Sequence, residues 1–180
     1  MNKVSELDVK HFKLLRENIS SFIKGLSKVY DDKASIMLDI APQDHAGAKA
    51  YFKKTTIKTL DIDEKSNADY IADICKNNKD IIPDESFDYI LLSEVLEHTL
   101  QPFDAIKEIH RMLKGSGMLF LTVPFNFRIH GPLPDCWRFT EHGLKALLQD
   151  SFEIINLTPL EDNDRFLMPI AYTLIAKKKN

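Results

Sequence analysis

A cluster of ionisable side chains follows a short apolar run in the middle of the chain. Residues 87–93 read Phe-Asp-Tyr-Ile-Leu-Leu-Ser, which predicts a buried strand. Glu94, Glu97 and His98 come directly after it. Because ligands in an open α/β sheet bind just beyond the carboxyl ends of the strands, we expect these side chains to face a cleft.

Three earlier predicted strands each carry an aspartate at or near the carboxyl end. The strands are 35–40, 57–62 and 70–73, and their aspartates are Asp39, Asp61 and Asp73. An acidic residue about 20 positions beyond the first strand commonly accepts hydrogen bonds from a ribose diol, and Asp61 has this spacing from Asp39. Each aspartate could instead cap a helix. Asp61 is therefore the best candidate for nucleoside binding, and the other two stay open.

The composition indicates an ordinary globular protein of one domain. The 180 residues are 44% hydrophobic and 28% charged. The formal net charge of −3 argues against nucleic acid as a partner. No apolar run is long enough for a membrane span, and Cys75 and Cys136 have no metal-ligand spacing. We therefore expect a cytoplasmic protein with no nucleic-acid partner, no membrane insertion and no metal site.

The order of the apolar patterns predicts an α/β fold. A further strand is expected at 118–123, and helical patterns separate several strands, notably at 101–113. Residues 114–117 read Lys-Gly-Ser-Gly and are expected to end that helix, because glycine tolerates a left-handed turn. Strands that alternate with helices form a parallel sheet. Near the end, 152–157 and 170–176 follow each other without a helix, which predicts an antiparallel hairpin. The expected fold is a Rossmann-like, doubly wound sheet of seven strands, mostly parallel with an antiparallel last strand.

An amphipathic helix is predicted at the start of the chain. Apolar residues recur at every third or fourth position from Leu7 to Val29. The stripe consists of Phe12, Leu15, Ile19, Phe22 or Ile23, Leu26 and Val29. Packing on the sheet or on a second subunit is favoured over a lid above a cleft. We therefore expect an N-terminal helical element, 1–33, and a main domain, 34–180, with a homodimer as one option.

Several segments, in order along the chain, carry a family resemblance. They are 84–90 leading into 94–98, then 108–117, then 123–125 followed by 130–132 and 135–140. Through these segments, residues 34–150 resemble the class I S-adenosylmethionine-dependent methyltransferases, in particular a small bacterial subgroup like methyltransferase type 11. The resemblance implies S-adenosylmethionine as cofactor and methyl transfer to a small-molecule or saccharide-linked acceptor.

The resemblance also implies which residues bind the cofactor. Asp39 would lie near the methionine amino group, Asp61 would bind the ribose, and Asp73 would accept from the adenine amine. Ser93 and Glu94 would form the floor beneath the methionine part. The full set of implied cofactor-binding residues is Asp39, Ala41, Gln43, Asp61, Ile62, Asp73, Ile74, Ser93 and Glu94.

The first loop departs from the family pattern. This loop is normally rich in glycine, which lets the backbone approach the cofactor closely. Here residues 40–47 retain only Gly47, and Pro42 removes a backbone donor. Ala41 would stand where a glycine is usual, and Gln43 would bind the cofactor's carboxylate. Either the loop has its own geometry, which is the favoured interpretation, or cofactor binding is weakened.

The candidate catalytic residues are His98, His130 and Asp135. A base is needed if the acceptor must lose a proton, as a sugar hydroxyl would. His98 could equally pack on the helix that follows it. His130 and Asp135 lie in a loop dense in Pro, Trp, Arg and His, which is typical of a substrate-facing segment.

The same loop supplies the candidate substrate-binding residues, which are Phe125, His130, Trp137 and Arg138. Trp137 would pack against a sugar ring, or would anchor the loop in the core. Arg138 would bind an anionic acceptor group, or would pair with a nearby acid. The alternative function is a non-catalytic, methyltransferase-like binding or scaffold domain, which the altered first loop motivates. A nicotinamide-dependent oxidoreductase is disfavoured because the Gly-x-Gly-x-x-Gly motif is missing.

Overall fold

A computed structural model describes residues 4–42, 47–163 and 165–180. Its elements are α1 (Glu6–Tyr30), β1 (Ile36–Ile40), β2 (Thr56–Asp61), β3 (Tyr70–Ile71), β4 (Phe87–Ser93), α2 (Pro102–Met112), β5 (Leu113–Pro124), α3 (Glu141–Leu148), β6 (Phe152–Leu160) and β7 (Ala171–Lys178). Short 3₁₀ turns lie at Ala48–Ala50 and Leu96–His98. None of the helices in the described ranges has the length and apolar character that a membrane crossing requires.

The strands form one seven-stranded sheet in the order β3-β2-β1-β4-β5-β7-β6. Every pairing among the first five strands is parallel, and β7 runs antiparallel to both β5 and β6. The predicted α/β architecture, with a mostly parallel sheet and an antiparallel last strand, is confirmed. Fewer helices wind between the strands than the prediction assumed. Among the described residues, the β1–β2, β2–β3 and β3–β4 connections contain no α-helix.

The register of the parallel strands aligns their carboxyl ends. Ile40 of β1 lies opposite Leu60 of β2 on one side and Leu92 of β4 on the other. The residues that come next in these three segments are Ala41, Asp61 and Ser93. Because the three strands run in one direction, these residues lie side by side along one edge of the sheet.

The turn between α2 and β5 differs from the prediction. Residues 114–117 were expected to end the helix before a strand at 118–123. Instead α2 ends at Met112 and β5 begins at Leu113, with Phe87 of β4 paired to Leu113. The residue with positive φ in this segment is Ser116, at 64°, rather than one of its neighbouring glycines. Between the Leu113 and Met118 pairings to β4, residues 114–117 form a register shift, so the predicted turn lies within β5 rather than before it.

Apolar layers cover both faces of the sheet. On one face, α2 and α3 bury Ile106, Ile109 and Leu144 against strand residues such as Ile90 and Leu121. On the other face, α1 packs on the central strands, and its buried residues belong to a second cluster. That cluster includes Leu15, Ile19, Ile23, Leu26, Met37, Leu91 and Phe120. The N-terminal helix is therefore packed on the sheet, as favoured from the sequence; the division at residue 33 stays a prediction.

The buried face of α1 is slightly rotated from the predicted stripe. Its buried members are His11, Leu15, Ile19, Ile23 and Leu26. Phe12 is 50% exposed and Val29 is 73% exposed, so the prediction was wrong for these two residues. His11 is buried, and its Nε2 lies 3.3 Å from Oδ2 of Asp162. Lys10 Nζ donates to the same carboxylate at 2.8 Å, which ties α1 to the β6–β7 connection.

Two substitutions in α1 test this assignment of its faces. Ile23→Ala should lower the free energy of unfolding by about 2–4 kcal/mol, because it opens a cavity in the layer beneath the helix. Val29→Ala removes an exposed side chain, so its effect should stay within about 0.5 kcal/mol. Urea unfolding followed by circular dichroism measures both values. Equal losses for the two variants would contradict the packing of α1 described above.

Candidate active site

A cleft of about 440 Å³ opens at the carboxyl ends of β1 and β2. We call it the strand-end cleft. Its lining comprises Ile40, Ala41, Leu60, Asp61, Ile62, Ala72, Asp73, Ile74, Cys75, Lys76, Val95, His98, Thr99, Leu100, Gln101 and Pro134. The volume and the mixture of apolar walls with a few carboxylates are typical of a small-molecule site.

Two predicted carboxylates line this cleft, and local turns hold each of them. Asp61 is buried, and its Oδ1 accepts a hydrogen bond from the Asp63 amide at 2.8 Å. Asp73 accepts from the Cys75 amide at 2.9 Å, and Lys76 Nζ lies 3.7 Å from its other oxygen. In both turns the backbone bond fixes the side chain at the cleft wall. All four of the predicted residues Asp61, Ile62, Asp73 and Ile74 line this cleft, and their contacts to a cofactor stay a prediction.

The glycine-poor turn after β1 begins with an alanine in a backbone conformation that favours glycine. Ala41 adopts a φ of 49°, in the left-handed region, and its amide donates to Leu60 O at 2.7 Å. Ala41 therefore takes the backbone conformation that suits glycine best, at an energetic cost of about 1–2 kcal/mol. Pro42 is not among the residues that line the strand-end cleft. Gln43, the predicted partner of the cofactor's carboxylate, lies outside the described residues.

Gly47 occupies a position in this turn that only glycine can fill. Its φ of 57° and ψ of −164° lie in a region essentially restricted to glycine. A Cβ atom at this position would also lie 2.6 Å from Oδ2 of Asp39. That same oxygen accepts a hydrogen bond from the Ala48 amide at 2.7 Å. The Asp39 side chain thus holds Gly47 and Ala48 close to the end of β1.

Asp39 is buried beneath this turn. Burial raises the pKa of its carboxyl to about 6, although the bond from Ala48 acts in the opposite direction. Asp39 is not among the residues that line the strand-end cleft. Its contacts favour a supporting role for the loop; a role near the methionine amino group stays a prediction.

At the end of β4, Ser93 and Glu94 are connected to β5. Ser93 Oγ and Thr122 Oγ1 lie 2.9 Å apart, and Thr122 Oγ1 donates to Glu94 Oε1 at 2.8 Å. Glu94 has a φ of 55°, a conformation that costs energy for a non-glycine residue and is often found at functional sites. Burial raises the pKa of Glu94 to about 7. Ser93 does not line the strand-end cleft, so its cofactor contact stays a prediction.

A second cleft, of about 410 Å³, lies between α1 and the loop after β5. We call it the helix-side cleft. Its lining comprises Val4, Asp8, Val9, Phe12, Leu15, Arg16, Ile19, Glu94, His98, Phe127, Arg128, His130, Gly131 and Pro132. Phe12 and Phe127 stack in its wall with ring centroids 6.5 Å apart. Phe12 is exposed because its ring lines the wall of this cleft rather than the core beneath α1.

His98 lines both clefts. Its Nδ1 lies 2.9 Å from Pro134 O and, since a carbonyl only accepts, must carry the hydrogen. Nε2 of His98 lies 3.7 Å from Oε1 of Glu97, and Nε2 of His130 lies 3.8 Å from the same oxygen. The predicted imidazoles are therefore brought together, 4.9 Å apart between ring centroids, although 32 positions separate them in the chain.

Glu97 is the buried centre of this group. It is 0% exposed, and its carboxylate oxygens have no hydrogen-bond partner elsewhere in the described part of the chain. Burial, together with the neighbouring Glu94 carboxylate, raises the pKa of Glu97 well above its usual range. Its backbone carbonyl accepts from the amides of Cys136 and Trp137, at 2.8 and 3.1 Å. Glu97 therefore also fixes the loop that carries the other candidates.

Asp135 and Arg138 form an ion pair within that loop. Arg138 Nη2 donates to Asp135 Oδ2 at 2.7 Å, and this pairing lowers the pKa of Asp135 to about 2. The same oxygen accepts from the His130 amide at 3.0 Å and lies 3.1 Å from His130 Nδ1. Burial lowers the pKa of His130. Such an ionised, paired carboxylate is suited to orient His130 rather than to take a proton, and Arg138 pairs with an acid as one alternative predicted.

The other predicted substrate residues lie outside both clefts. Trp137 is 40% exposed, and its indole N–H donates to Thr99 O at 2.7 Å. Phe125 packs edge-on against Tyr172, with ring centroids 6.1 Å apart. Neither residue is among those that line the two clefts, whereas Phe127 is. These contacts favour the anchoring alternative for Trp137.

Sequence reasoning missed several residues that line the clefts. They are Arg16, Leu100, Gln101, Phe127 and Arg128. Leu100 is 70% exposed, and an apolar residue two positions after the Glu97-His98 pair was a usable signal. Arg16 lies in a helix far along the chain from the rest, so no local pattern could assign it.

The family model described as "Methyltransferase domain" matches residues 20–121, which is more than half of the chain. The chain belongs to this family. It is a class I S-adenosylmethionine-dependent methyltransferase of the type 11 kind, and its cofactor is S-adenosylmethionine. Among curated proteins, none is similar enough in sequence to be matched.

Solved structures with similar folds include methyltransferases. The PH0226 protein from Pyrococcus horikoshii OT3 is 17% identical, with a TM-score of 0.67 and coverage of 91% of both chains. A SAM-dependent methyltransferase from Methanosarcina mazei is 19% identical, with a TM-score of 0.60 and coverage of 89% of this chain and 96% of that one.

A third similar structure is the 1,6-didemethyltoxoflavin-N1-methyltransferase of Burkholderia thailandensis, with bound 1,6-didemethyltoxoflavin and S-adenosylhomocysteine. It is 15% identical, with a TM-score of 0.60 and coverage of 100% of this chain and 94% of that one. At such low identities these likenesses support the fold of the methyltransferase.

Two substitutions test the backbone conformation of the turn after β1. Gly47→Ala should lower the free energy of unfolding by about 2 kcal/mol or more, because a left-handed alanine costs about 1–2 kcal/mol and its Cβ would meet Asp39. Ala41→Gly relieves the strain at φ 49° and should leave stability equal or higher by up to about 1 kcal/mol. Urea unfolding gives both values. A stabilising Gly47→Ala would show that the turn has another conformation.

A further prediction concerns the pH dependence that buried Asp39 imposes. The folded state binds this proton more tightly than the unfolded chain, so its contribution to stability falls as the pH rises through this range, from about 4 to about 6. Asp39→Asn keeps an acceptor for Ala48 and removes the titration. The stability of Asp39→Asn relative to the wild type should therefore rise by about 2 kcal/mol between about pH 4 and about pH 7. A pH-independent difference in urea unfolding would disprove the raised pKa.

Proposed function

We propose that this methyltransferase transfers the methyl group of S-adenosylmethionine to a small-molecule or saccharide-linked acceptor held in the helix-side cleft. The observation that carries the proposal is the position of His98, which lines both clefts. A cofactor in the strand-end cleft and an acceptor in the helix-side cleft would meet at this residue. Methyl transfer requires such a meeting, because the acceptor atom must lie near the methyl carbon and in line with the breaking bond.

The residues of the strand-end cleft fit the adenosyl part of the cofactor. The buried carboxylate of Asp61 would accept from the ribose hydroxyls, and Asp73 would accept from the adenine amine. Ile62 and Leu100 are 68% and 70% exposed in this cleft, and they would cover the faces of the adenine ring. When bound, the cofactor supplies an electrophilic methyl group on a sulfonium centre. Ala41 supports this fit, because its left-handed backbone keeps the cleft open where the family uses glycine.

The helix-side cleft suits an acceptor with both polar groups and apolar faces. Phe12 and Phe127 offer flat apolar surfaces, while Arg16, Arg128 and Glu94 offer charge and hydrogen bonds. Sugars and small heterocycles combine these two features. The loop containing Trp137 and Arg138 would act by holding the cleft wall rather than by touching the acceptor.

Either imidazole can take a proton from an acceptor hydroxyl. In His98, the bond from Nδ1–H to Pro134 O leaves the lone pair on Nε2, which faces Glu97 and the cleft. His130 has the same arrangement if its Nδ1 donates to Asp135. Asp135 would then orient His130 and stabilise the charge that it gains.

Transfer of an isotopically labelled methyl group tests the proposed acceptor class. The protein is incubated with methyl-labelled S-adenosylmethionine and a panel of nucleotide sugars, oligosaccharides and small heterocycles. Label in one of these compounds supports the proposal. Label found only in added protein or nucleic acid would refute it.

The placement of the cofactor is tested by one substitution in the strand-end cleft. Asp61→Ala should weaken binding of S-adenosylhomocysteine by about 1–3 kcal/mol, because it removes a carboxylate acceptor from the ribose. Isothermal titration calorimetry measures this change. Glu64→Ala is the matched control, since Glu64 is exposed and lies outside the cleft lining. An unchanged dissociation constant for Asp61→Ala would contradict the ribose assignment.

A further inference from the structure

Three potential metal ligands converge where the two clefts meet. They are Oε1 of Glu97 and one ring nitrogen each of His98 and His130, and these ligand atoms all lie within 4.8 Å of one another. The distances from Glu97 Oε1 to the two Nε2 atoms are 3.7 and 3.8 Å. Ligand atoms around a tetrahedral zinc ion are about 3.4 Å apart, given metal–ligand bonds of about 2.1 Å. Small side-chain rotations would therefore bring all three into coordination.

The outer contacts of both histidines are those of metal ligands. A metal-binding histidine usually donates its other ring N–H to a carbonyl or a carboxylate, which fixes the ring and its tautomer. His98 Nδ1 lies 2.9 Å from Pro134 O, and His130 Nδ1 lies 3.1 Å from the Asp135 carboxylate. With both Nδ1 atoms as donors, each Nε2 carries the free lone pair, and the two Nε2 atoms lie 3.7 and 3.8 Å from Oε1 of Glu97.

The burial of Glu97 supplies an independent reason to expect a cation. Its side chain is fully buried, and neither carboxylate oxygen has a hydrogen-bond partner elsewhere in the described residues. A buried carboxylate without partners is costly unless it is neutralised or binds a metal. Glu94, whose Oε2 is likewise unpartnered, adds a second carboxylate beside it. No positively charged side chain lies within ion-pair distance of Glu97, apart from these histidines, among the described residues.

From this arrangement we propose that Glu97, His98 and His130 form a binding site for a divalent transition-metal ion of the zinc, iron(II) or manganese class. Two imidazoles and one carboxylate are a common ligand set for these ions, and they leave coordination positions open. The open positions would face the helix-side cleft, since His98 and His130 line it while Glu97 lies behind them. The site is defined by residues of this chain alone, and metal binding there does not depend on the acceptor proposed above.

A bound ion would change what the imidazoles do. Their Nε2 lone pairs would be occupied, so neither ring could accept a proton. The ion itself would lower the pKa of a hydroxyl that binds to it and would hold that oxygen in place. An acceptor with a hydroxyl or a vicinal diol would then be favoured over an amine.

Metal uptake by the purified full chain, without cofactor or acceptor, tests the site directly. Any histidine tag is removed, the protein is stripped with a chelator, and it is dialysed against Zn²⁺, Mn²⁺ or Co²⁺. Elemental analysis should find one ion per chain, and Co²⁺ should give visible absorption bands of a histidine-ligated ion. The absence of saturable binding for all three ions would overturn the proposal.

Substitutions locate the bound ion. Glu97→Gln keeps the side-chain volume, and it should weaken Zn²⁺ binding by more than about 100-fold, as should His130→Asn. Asp135→Asn should weaken binding by about 10–100-fold, which is typical for the loss of an outer contact. His142→Asn and the double variant Cys75→Ser, Cys136→Ser should bind as the wild type does, since His142 is exposed and neither cysteine belongs to the cluster.

Circular dichroism confirms that each variant is folded, and His98→Asn replaces any variant that is not. Zn²⁺ should raise the melting temperature of the wild type and of the control variants, but not that of Glu97→Gln. Wild-type affinity in folded Glu97→Gln and His130→Asn, or loss of binding in the cysteine variant, would assign the ion elsewhere and refute the site. Failure of methyl transfer with intact metal binding would count against the proposed acceptor alone.

Discussion

The site depends on one constraint, which is the parallel pairing of β1 with β2 on one side and β4 on the other. This register places Ile40 opposite both Leu60 and Leu92. The three strands therefore end at one level, and the segments that follow them open toward the same edge. The pairing of β5 with β4 adds Thr122, which links Ser93 to Glu94. The segments after these strands line the strand-end cleft, and Glu94 and His98, which follow β4, also line the helix-side cleft.

The turn after β1 shows how this edge stays open without the glycines typical of the family. Ala41 accepts a left-handed backbone, and Gly47 fills the position where a Cβ atom would meet Asp39. The buried Asp39 carboxylate binds the Ala48 amide and closes the loop. In the described part of this turn, Ala41 carries backbone strain, and the buried Asp39 beside it has lost its hydration. The packing of the sheet around these two residues offsets both unfavourable energies.

The two clefts meet at Glu97, His98 and His130, and the carboxylate at this junction is held differently from those of the strand-end cleft. The strand-end cleft has carboxylates that are held by local backbone bonds, such as Asp61 and Asp73. At the junction, by contrast, the buried carboxylate of Glu97 has no hydrogen-bond partner elsewhere among the described residues, and two histidines from different segments lie near it. Asp135 and Arg138 fix one of these histidines through a short loop. The contact of Glu97 with His130 therefore joins residues that are distant in the chain.

The sequence by itself determined the sheet and the residues at its carboxyl edge. An apolar run predicted β4 with the bounds that the structure has, and the aspartates at predicted strand ends included Asp61 and Asp73, which line the strand-end cleft. These signals are local, because a strand's end and the residue that follows it are adjacent in the chain. The start of β5 was mispredicted, because Leu113 already pairs with Phe87 of β4 ahead of the register shift at residues 114–117, a long-range contact that local patterns do not show.

Only the tertiary structure decided which side chains share a cleft. It brought Arg16 and Phe12 of α1 to the loop after β5, and it joined His98 to His130 around Glu97. It also gave Trp137 and Arg138 hydrogen-bond partners, Thr99 and Asp135, that favour a role in holding that loop. The physical reason is that local periodicity specifies which face of an element is buried. Which distant element covers that face depends on the packing of the whole chain.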